Sequence, residues 1–332
     1  MHPLFQALLG PWEWRLEVLA VIVPWAVLYT LGWRRLRIQV QAHKLTPRRY
    51  LVRRLIAYWA GILILIISLM SPVDRLGGQL LLMHMVQHKL TMFFAAPLIL
   101  LGNPFPFVLW GMPARVRVAV GGLFARNARF RRVLTAATRP GIAWLVLITV
   151  YYGWHDPIAY NTALRLDWVH DIQHISFFSA SMLFWWHVIG SAPNLHGRIL
   201  PWMRIGYLLT QIPPNMAVGI SIAFSTSILY TYYESVPRFW GFSVEQDQML
   251  GGAIMWIMGS QMFIGAALIV LAREFARAKT PIKTSVKASV HERSVTELSN
   301  GANPTLTDMP ADGAEDVRAG TSAHKLAPGS SQ

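Results

Sequence analysis

The sequence predicts an all-α integral membrane protein, a bundle of about seven transmembrane helices. Of its 332 residues, 54% are hydrophobic and only 14% are charged, which is too apolar for a soluble protein of this length. The apolar residues fall in long runs that can each cross a bilayer. Basic residues collect in alternate connecting segments, as they do in multi-pass membrane proteins.

Seven apolar runs are the predicted spans, at residues 16–33, 55–70, 80–101, 141–154, 171–190, 205–229 and 248–271. At about 1.5 Å per residue the third run is about 33 Å long, against a hydrocarbon core of about 30 Å. Residues 1–279 therefore form the predicted transmembrane domain. Residues 280–332 are Ser, Thr, Gly, Pro and Ala mixed with charges, and we expect a disordered cytoplasmic tail there.

Charges in the connecting segments predict the orientation. The segments after the first and third spans contain many Arg and Lys residues and no acid, whereas the alternate ones carry one basic residue each, Arg75, Arg165 and Arg238. The positive-inside rule then places the amino terminus outside and the carboxyl terminus in the cytoplasm, in the cell's inner membrane. The net charge of +14 is thus expected to meet anionic membrane lipids and not nucleic acid.

Four histidines form two pairs with helical spacing. His84 and His88 lie in the third span, and His170 and His174 begin the fifth, so each pair shares one helix face toward the outer side. Ionisable groups inside a membrane are costly and mark functional sites. Two imidazole pairs suit copper, zinc or iron. His187 lies about 20 Å deeper and is not expected at this site.

Three further residues are candidate metal ligands on the same side of the membrane. His155 ends the fourth span, Asp247 opens the seventh, and Met255 shares a helix face with Met258 and Met262. Thioethers favour Cu(I). Each residue also has a simpler interpretation, because a loop histidine can steady its neighbours, Asp is a preferred helix cap, and methionine usually packs in a core.

Other features shape the expected bundle without naming a function. Lys89 is a cation in an apolar run, and its amine either snorkels outward or points into an aqueous cleft. Gly251 and Gly252 would let another helix approach closely. Pro213 and Pro214 should kink the sixth span. The chain has no cysteine, which excludes disulfides and thiolate metal sites.

Four segments in a fixed order carry a family resemblance: HMVQHKLTMFFAAPLILLGNP, WHDPIAYNTAL, HDIQHISFFSASMLFWW and DQMLGGAIMW. Over residues 80–271 the chain resembles the polytopic CtaG family of cytochrome c oxidase assembly factors. The resemblance implies a role in maturing the oxidase by supplying copper to one of its centres, with oxidase subunits as partners. The family's motif residues map to His84, His88, His155, His170, His174, Asp247 and Gln248. The chain departs from the family pattern at Lys89, His187 and Met258, and none of these changes removes a proposed ligand.

Several functions stay open beside the copper hypothesis. Paired histidines could ligate haem in a membrane redox protein. A metal transporter would need polar groups continuing to the inner side. The histidines could also only bond helices together in a scaffold for oxidase subunits. No nucleophile or acid–base pair indicates turnover, so the sequence predicts no enzyme.

Overall fold

A computed structural model describes residues 12–42, 48–197, 199–237 and 241–300. Every regular element in these ranges is helical, which confirms the predicted all-α class. In chain order the α-helices are α1 (Leu16–Ala42), α2 (Arg48–Met70), α3 (Pro72–Gly77), α4 (Leu81–Lys89), α5 (Ala96–Leu101), α6 (Pro104–Gly111), α7 (Ala114–Leu123), α8 (Arg129–Ala137), α9 (Pro140–His155), α10 (Pro157–Arg165), α11 (Asp167–Ile189), α12 (Pro201–Leu209), α13 (Ile212–Ala223) and α14 (Val244–Asn300). A π-helical segment, Leu90–Ala95, joins α4 to α5, and a 3-10 turn, Thr231–Glu234, precedes α14.

Helices with the length and apolar composition of membrane spans make this a membrane protein. Three single helical segments, within α1, α2 and α14, are long and apolar enough to cross a membrane. Two bent pairs qualify if each is one span: Leu81–Leu101 with Pro104–Gly111, bent by 62°, and Arg129–Ala137 with Pro140–His155, bent by 56°. The described residues thus hold 3 to 5 candidate spans by these criteria. The seven-span count and the orientation of the termini stay predictions.

The predicted fifth and sixth spans fall on less apolar or shorter helices. Helix α11 has 23 residues and is about 34 Å long, but polar residues in its first turns lower its hydropathy. The sixth is divided, because α12 ends at Leu209 and α13 begins at Ile212. Pro213 and Pro214 lie in the first turn of α13, where their missing N–H groups are tolerated. The predicted kink is therefore a break between two helices.

The carboxyl-terminal part of the chain is described only to residue 300. The described residues up to 275 belong to one compact unit, and those from 276 onward belong to another. Helix α14 begins in the first unit at Val244 and ends at Asn300. Residues 301–332 lie outside the described ranges, so the disordered tail stays a prediction.

Glycines let α14 lie directly against α4 and α13. A Cβ atom at Gly252 would lie 2.5 Å from the backbone nitrogen of Ala223, and one at Gly251 would lie 2.8 Å from Cγ of Leu81. Real Cβ atoms do not approach that closely, so the predicted close helix approach is confirmed. The contact brings Asp247, at the start of the same helix, to the first turn of α4.

Replacing Gly252→Ala should destabilise the protein by about 1–3 kcal/mol, because the added methyl group would overlap the backbone of α13. Thermal unfolding of the full chain in detergent measures this change. Gly265→Ala is the matched control in the same helix, since nothing lies within 4 Å of a Cβ atom at that position. Equal melting temperatures for the two variants would show that α13 and α14 do not depend on this contact.

Candidate metal centre

The helix that carries the first histidine pair is capped by a residue far away in the sequence. Helix α4 has no side-chain cap from its own sequence. Instead, the carboxylate of Asp247 accepts hydrogen bonds from the backbone N–H of Leu81 at 2.8 Å and of Leu82 at 3.0 Å. A carboxylate there satisfies two donors that a helix start leaves unpaired and complements the helix dipole. This contact anchors α4 to α14.

A second contact sets α4 against α11, which carries the other histidine pair. The π-helical segment after α4 interrupts the regular bonding pattern. There the carbonyl of Met92 accepts hydrogen bonds from Ser181 Oγ at 2.5 Å and from Trp185 Nε1 at 3.0 Å. Both donors lie on α11, and all three residues are buried. The two histidine-bearing helices are thus held in one register.

Three imidazoles from these two helices converge. His84 and His88 of α4 and His174 of α11 each offer a ring nitrogen, and these nitrogens all lie within 4.8 Å of one another. The ring centroids of His84 and His88 are 4.4 Å apart, and those of His88 and His174 are 4.9 Å apart. The exposed fractions of the three side chains are only 0%, 3% and 6%. We call these three residues the histidine triad.

A second group of possible ligands shares one residue with the triad. His174, His170 and Asp74 offer ligand atoms within 4.8 Å of one another, and His170 and Asp74 are only half-buried. The Nε2 atoms of His170 and His174 are 3.1 Å apart. Asp74 lies on α3, outside the candidate spans, and burial raises the pKa of its carboxyl to about 6. A nearby cation would favour its charged form. We call His170 and Asp74 the outer pair.

Most of the triad's ring nitrogens are buried without a hydrogen bond. Both nitrogens of His84, both of His88 and Nδ1 of His174 have no partner at hydrogen-bond geometry. Leaving a buried polar atom unpaired costs about 1–3 kcal/mol. Imidazole nitrogens are ligands for copper, zinc and iron, and small side-chain rotations would bring three of them around one ion. The donor set therefore fits a metal ion.

Three predicted ligands lie outside both groups. Nδ1 of His155 lies 2.6 Å from the carbonyl of Tyr151 in its own helix, while its Nε2 is buried without a partner. Met255 is fully buried in the apolar core. Asp247 is occupied in capping α4. Within the described residues neither His155 nor Asp247 joins the triad or the outer pair, and the role of all three as ligands stays a prediction.

Gln87 and Asp74 are site residues that the sequence analysis missed. The Gln87 amide donates hydrogen bonds to the carbonyl of Ser68 at 3.0 Å and to the carboxylate of Asp74. Ser68 Oγ in turn donates to the carbonyl of Gln87 at 3.0 Å. These bonds join α4 to α2 and α3. Gln87 is a polar residue in an apolar run beside His88, which is a signal that the sequence contains, and its side chain is fully buried. Asp74 lies in a connecting segment and had no such signal.

Buried tyrosines cover the site. The ring of Tyr160 lies 5.2 Å from that of His84 and 4.1 Å from that of Tyr230. The hydroxyl of Tyr230 donates to the carbonyl of His155 at 3.1 Å, and that of Tyr233 donates to the last carbonyl of α3 at 2.9 Å. Tyr230 and Tyr233 come from the segment before α14. They shield the triad from water.

Lys89 lies next to the triad, on the side toward the middle of the bundle. Its amine is buried, with an exposed fraction of 2%, and donates to the hydroxyl of Tyr151 at 3.2 Å. It also lies 5.0 Å from the ring centroid of Phe93, a cation–π distance. The Tyr151 hydroxyl in turn donates a hydrogen bond to Asn215 Oδ1 at 2.7 Å. The outward-reaching alternative for Lys89 is therefore wrong, because its amine faces a buried polar chain.

The fold and the site together define a helical membrane protein with a buried histidine cluster that could hold a metal ion. The chain belongs to the family of cytochrome c oxidase caa3 assembly factors, Caa3_CtaG, whose family model matches residues 27–278. This match confirms the family resemblance that the sequence motifs predicted.

Relatives among known proteins extend beyond this chain. It is 29% identical over 275 residues to an uncharacterized protein of Mycobacterium bovis and to one of Mycobacterium tuberculosis, covering 80% of this chain and 39% of each relative. An uncharacterized protein of Mycobacterium leprae is 27% identical over 271 residues, which is 80% of this chain and 40% of that protein. The chain thus spans less than half the length of these relatives. No solved structure matches it.

Asp247→Asn should lower the stability of the protein by about 1–2 kcal/mol, because an amide offers the start of α4 only one acceptor and no charge. Thermal unfolding in detergent measures the loss. The control is Asp167→Asn, the same change at an exposed position. If both variants melt at the wild-type temperature, the cap on α4 does not hold the histidine-bearing helix in place.

Proposed function

We propose that this protein is a membrane assembly factor that binds copper at the histidine triad and helps to insert it into cytochrome c oxidase. Family membership supports the link to the oxidase. The convergence of His84, His88 and His174 is the observation that carries the metal-binding part. In this proposal copper is cargo, held by imidazole nitrogens that otherwise have no hydrogen-bond partner.

The shared position of His174 suggests how the ion leaves. The triad is buried, whereas the outer pair, His170 and Asp74, reaches the surface. An ion held by His84 and His88 could pass through His174 to the outer pair without being released into lipid. Asp74 would add a negative charge at the exit and stabilise a cation there. With the amino terminus outside, this exit faces the outer side of the inner membrane.

The choice of copper as the bound metal needs an argument of its own. Imidazole alone also suits zinc and iron. The family's role in building an oxidase favours copper over both. Met85 and Met92 pack in the apolar core that includes Leu81 and Tyr151, and a thioether that approached the triad would favour Cu(I). Met255 belongs to the same core and has the same potential role.

The geometry favours direct chelation over the alternative functions. The facing rings of His88 and His174 are buried with centroids 4.9 Å apart, which leaves no room for a porphyrin between the two helices. Beyond the triad, the π-helical segment and α5 are apolar apart from Thr91, which offers a cation no polar path deeper into the bundle and disfavours a transporter. Histidines that only bonded helices together would have hydrogen-bond partners, unlike His88, whose two ring nitrogens have none. We propose no enzymatic turnover.

Two kinds of partner follow from the proposal. Subunits of cytochrome c oxidase would receive the copper at the outer pair. Anionic lipids would contact the basic connecting segments on the cytoplasmic side, where the positive-inside rule places those segments. Nucleic acid has no place in this arrangement.

His88→Asn should abolish metal retention, because it removes the imidazole that lies beside both other members of the triad. Elemental analysis for copper, zinc and iron, on protein purified from membranes, measures the metal content directly. We expect about one copper per wild-type chain, since three ligands of the triad serve one ion.

His187→Asn is the matched control, since it alters another buried histidine at the far end of α11. It should keep the wild-type copper content. Both variants must elute as folded protein on size-exclusion chromatography. Unchanged copper in His88→Asn would refute binding at the triad, and zinc or iron in place of copper would refute only the choice of metal.

His170→Asn should leave copper bound but slow its release by about tenfold or more, because the outer pair loses the imidazole that receives the ion. Stopped-flow transfer to a water-soluble chelator measures the release rate. The control, His196→Asn, changes a histidine on the loop beyond α11. If His170→Asn releases copper at the wild-type rate, the ion does not leave through the outer pair.

A further inference from the structure

A second histidine pair lies at the opposite end of α11 from the metal centre. His187 is in the last turn of the helix and His196 is in the loop that follows, with ring centroids 5.0 Å apart. Both contact Thr138: His187 Nε2 lies 2.8 Å from its carbonyl oxygen, and His196 Nε2 lies 3.1 Å from its hydroxyl. His187 is about 20 Å along α11 from His174. The pair is therefore separate from the metal centre.

A cavity of about 450 Å³ adjoins this pair. Its lining includes both imidazoles, the guanidinium group of Arg204, the hydroxyl of Ser191 and Asn194. A neighbouring cavity of about 400 Å³ shares His187, His196 and Arg204 and adds Tyr207. The two cavities share these lining residues, and we call them together the α11 recess. Its volume is ample for a phosphate group.

The backbone at the end of α11 helps to position the guanidinium. Gly190 ends the helix in the left-handed region, with φ of 71°, where glycine is favoured. A Cβ atom at Gly190 would lie 3.6 Å from Arg204 Nη2. Glycine thus leaves the guanidinium direct access to the helix end and to the recess.

The charges around the recess favour an anion. Arg204 lines it, and Arg131 Nη2 donates to the carbonyl of Asn194 at 3.1 Å. None of the described residues that line the two cavities is a carboxylate. The pKa of His196 is lowered, chiefly by burial and also by Arg139. The arginines therefore supply the positive charge, and a neutral His196 can donate from Nδ1 only in the tautomer whose Nε2 accepts from the Thr138 hydroxyl.

The recess also contains polar atoms that are available to a ligand. Ser191 Oγ and the Tyr207 hydroxyl are buried and have no hydrogen-bond partner. A second metal ion would meet the arginines as like charges. An anion would meet the same groups as partners, because a guanidinium binds phosphate oxygens in a bidentate manner.

We infer that the α11 recess binds a phosphate group, with Arg204 as the counter-charge and His196 and Ser191 as hydrogen-bonding groups. The phosphate could belong to an anionic lipid headgroup or be free inorganic phosphate. With the carboxyl terminus in the cytoplasm, this end of α11 faces the leaflet surface where basic residues meet anionic lipids. The inference concerns a different site from the metal centre and does not depend on copper binding.

The full chain in detergent tests both sources of phosphate. In one arm, native mass spectrometry compares retention of phosphatidylglycerol with that of phosphatidylcholine. In the other, thermal unfolding compares sodium phosphate with sodium chloride at equal ionic strength. Arg204→Gln and His196→Asn are the test variants, and Arg115→Gln, at an exposed position on α7, is the matched control.

Arg204→Gln should weaken phosphate binding by about tenfold or more, because a charge-assisted hydrogen bond is lost. His196→Asn should weaken it less, and it serves as the test if Arg204→Gln does not fold. Loss of phosphatidylglycerol in the test variants assigns the recess to lipid. Loss of phosphate-dependent stabilisation without lipid preference assigns it to the free ion. Equal behaviour of Arg204→Gln, His196→Asn and Arg115→Gln in both arms would overturn the inference.

Discussion

Imidazole nitrogens that are buried without hydrogen-bond partners are the constraint on which the rest of this structure depends. His84 and His88 are almost completely buried, and none of their ring nitrogens has a partner at hydrogen-bond geometry. At about 1–3 kcal/mol for each unpaired atom, such an arrangement is unfavourable unless a ligand uses it. A metal ion bound by these nitrogens would remove that cost, which supports the proposed binding function of the cluster.

The surrounding contacts keep these side chains from finding other partners. Asp247 fixes the start of α4 from α14, and the carbonyl of Met92 joins the continuation of that helix to α11. Gln87 links α4 to α2 and α3. Because helices on three sides hold α4, its histidines cannot rotate away as a unit. The site is therefore pre-organised by contacts that involve no proposed ligand of the triad.

The sequence predicted those features of the site that leave a local pattern in the chain. The i,i+4 spacing of His170 and His174, like that of the first pair, placed each pair on one face, and the structure brings members of both pairs together. The role of Asp247 could not be predicted, because its partners are backbone groups about 165 residues away in the chain. Asp74 joins the outer pair only because α3 folds beside α4, and a connecting segment carries no periodic signal of that packing. Hydropathy alone predicted a single sixth span, where Pro213 and Pro214 instead start a new helix.

X-ray absorption at the copper edge of the loaded protein tests the central claim most directly, because it reports which atoms surround the ion. The account predicts a first shell of nitrogen or oxygen atoms at about 2 Å, with the outer-shell scattering of about three imidazoles. A shell dominated by sulfur, or a spectrum with a single imidazole, would contradict copper binding at the histidine triad.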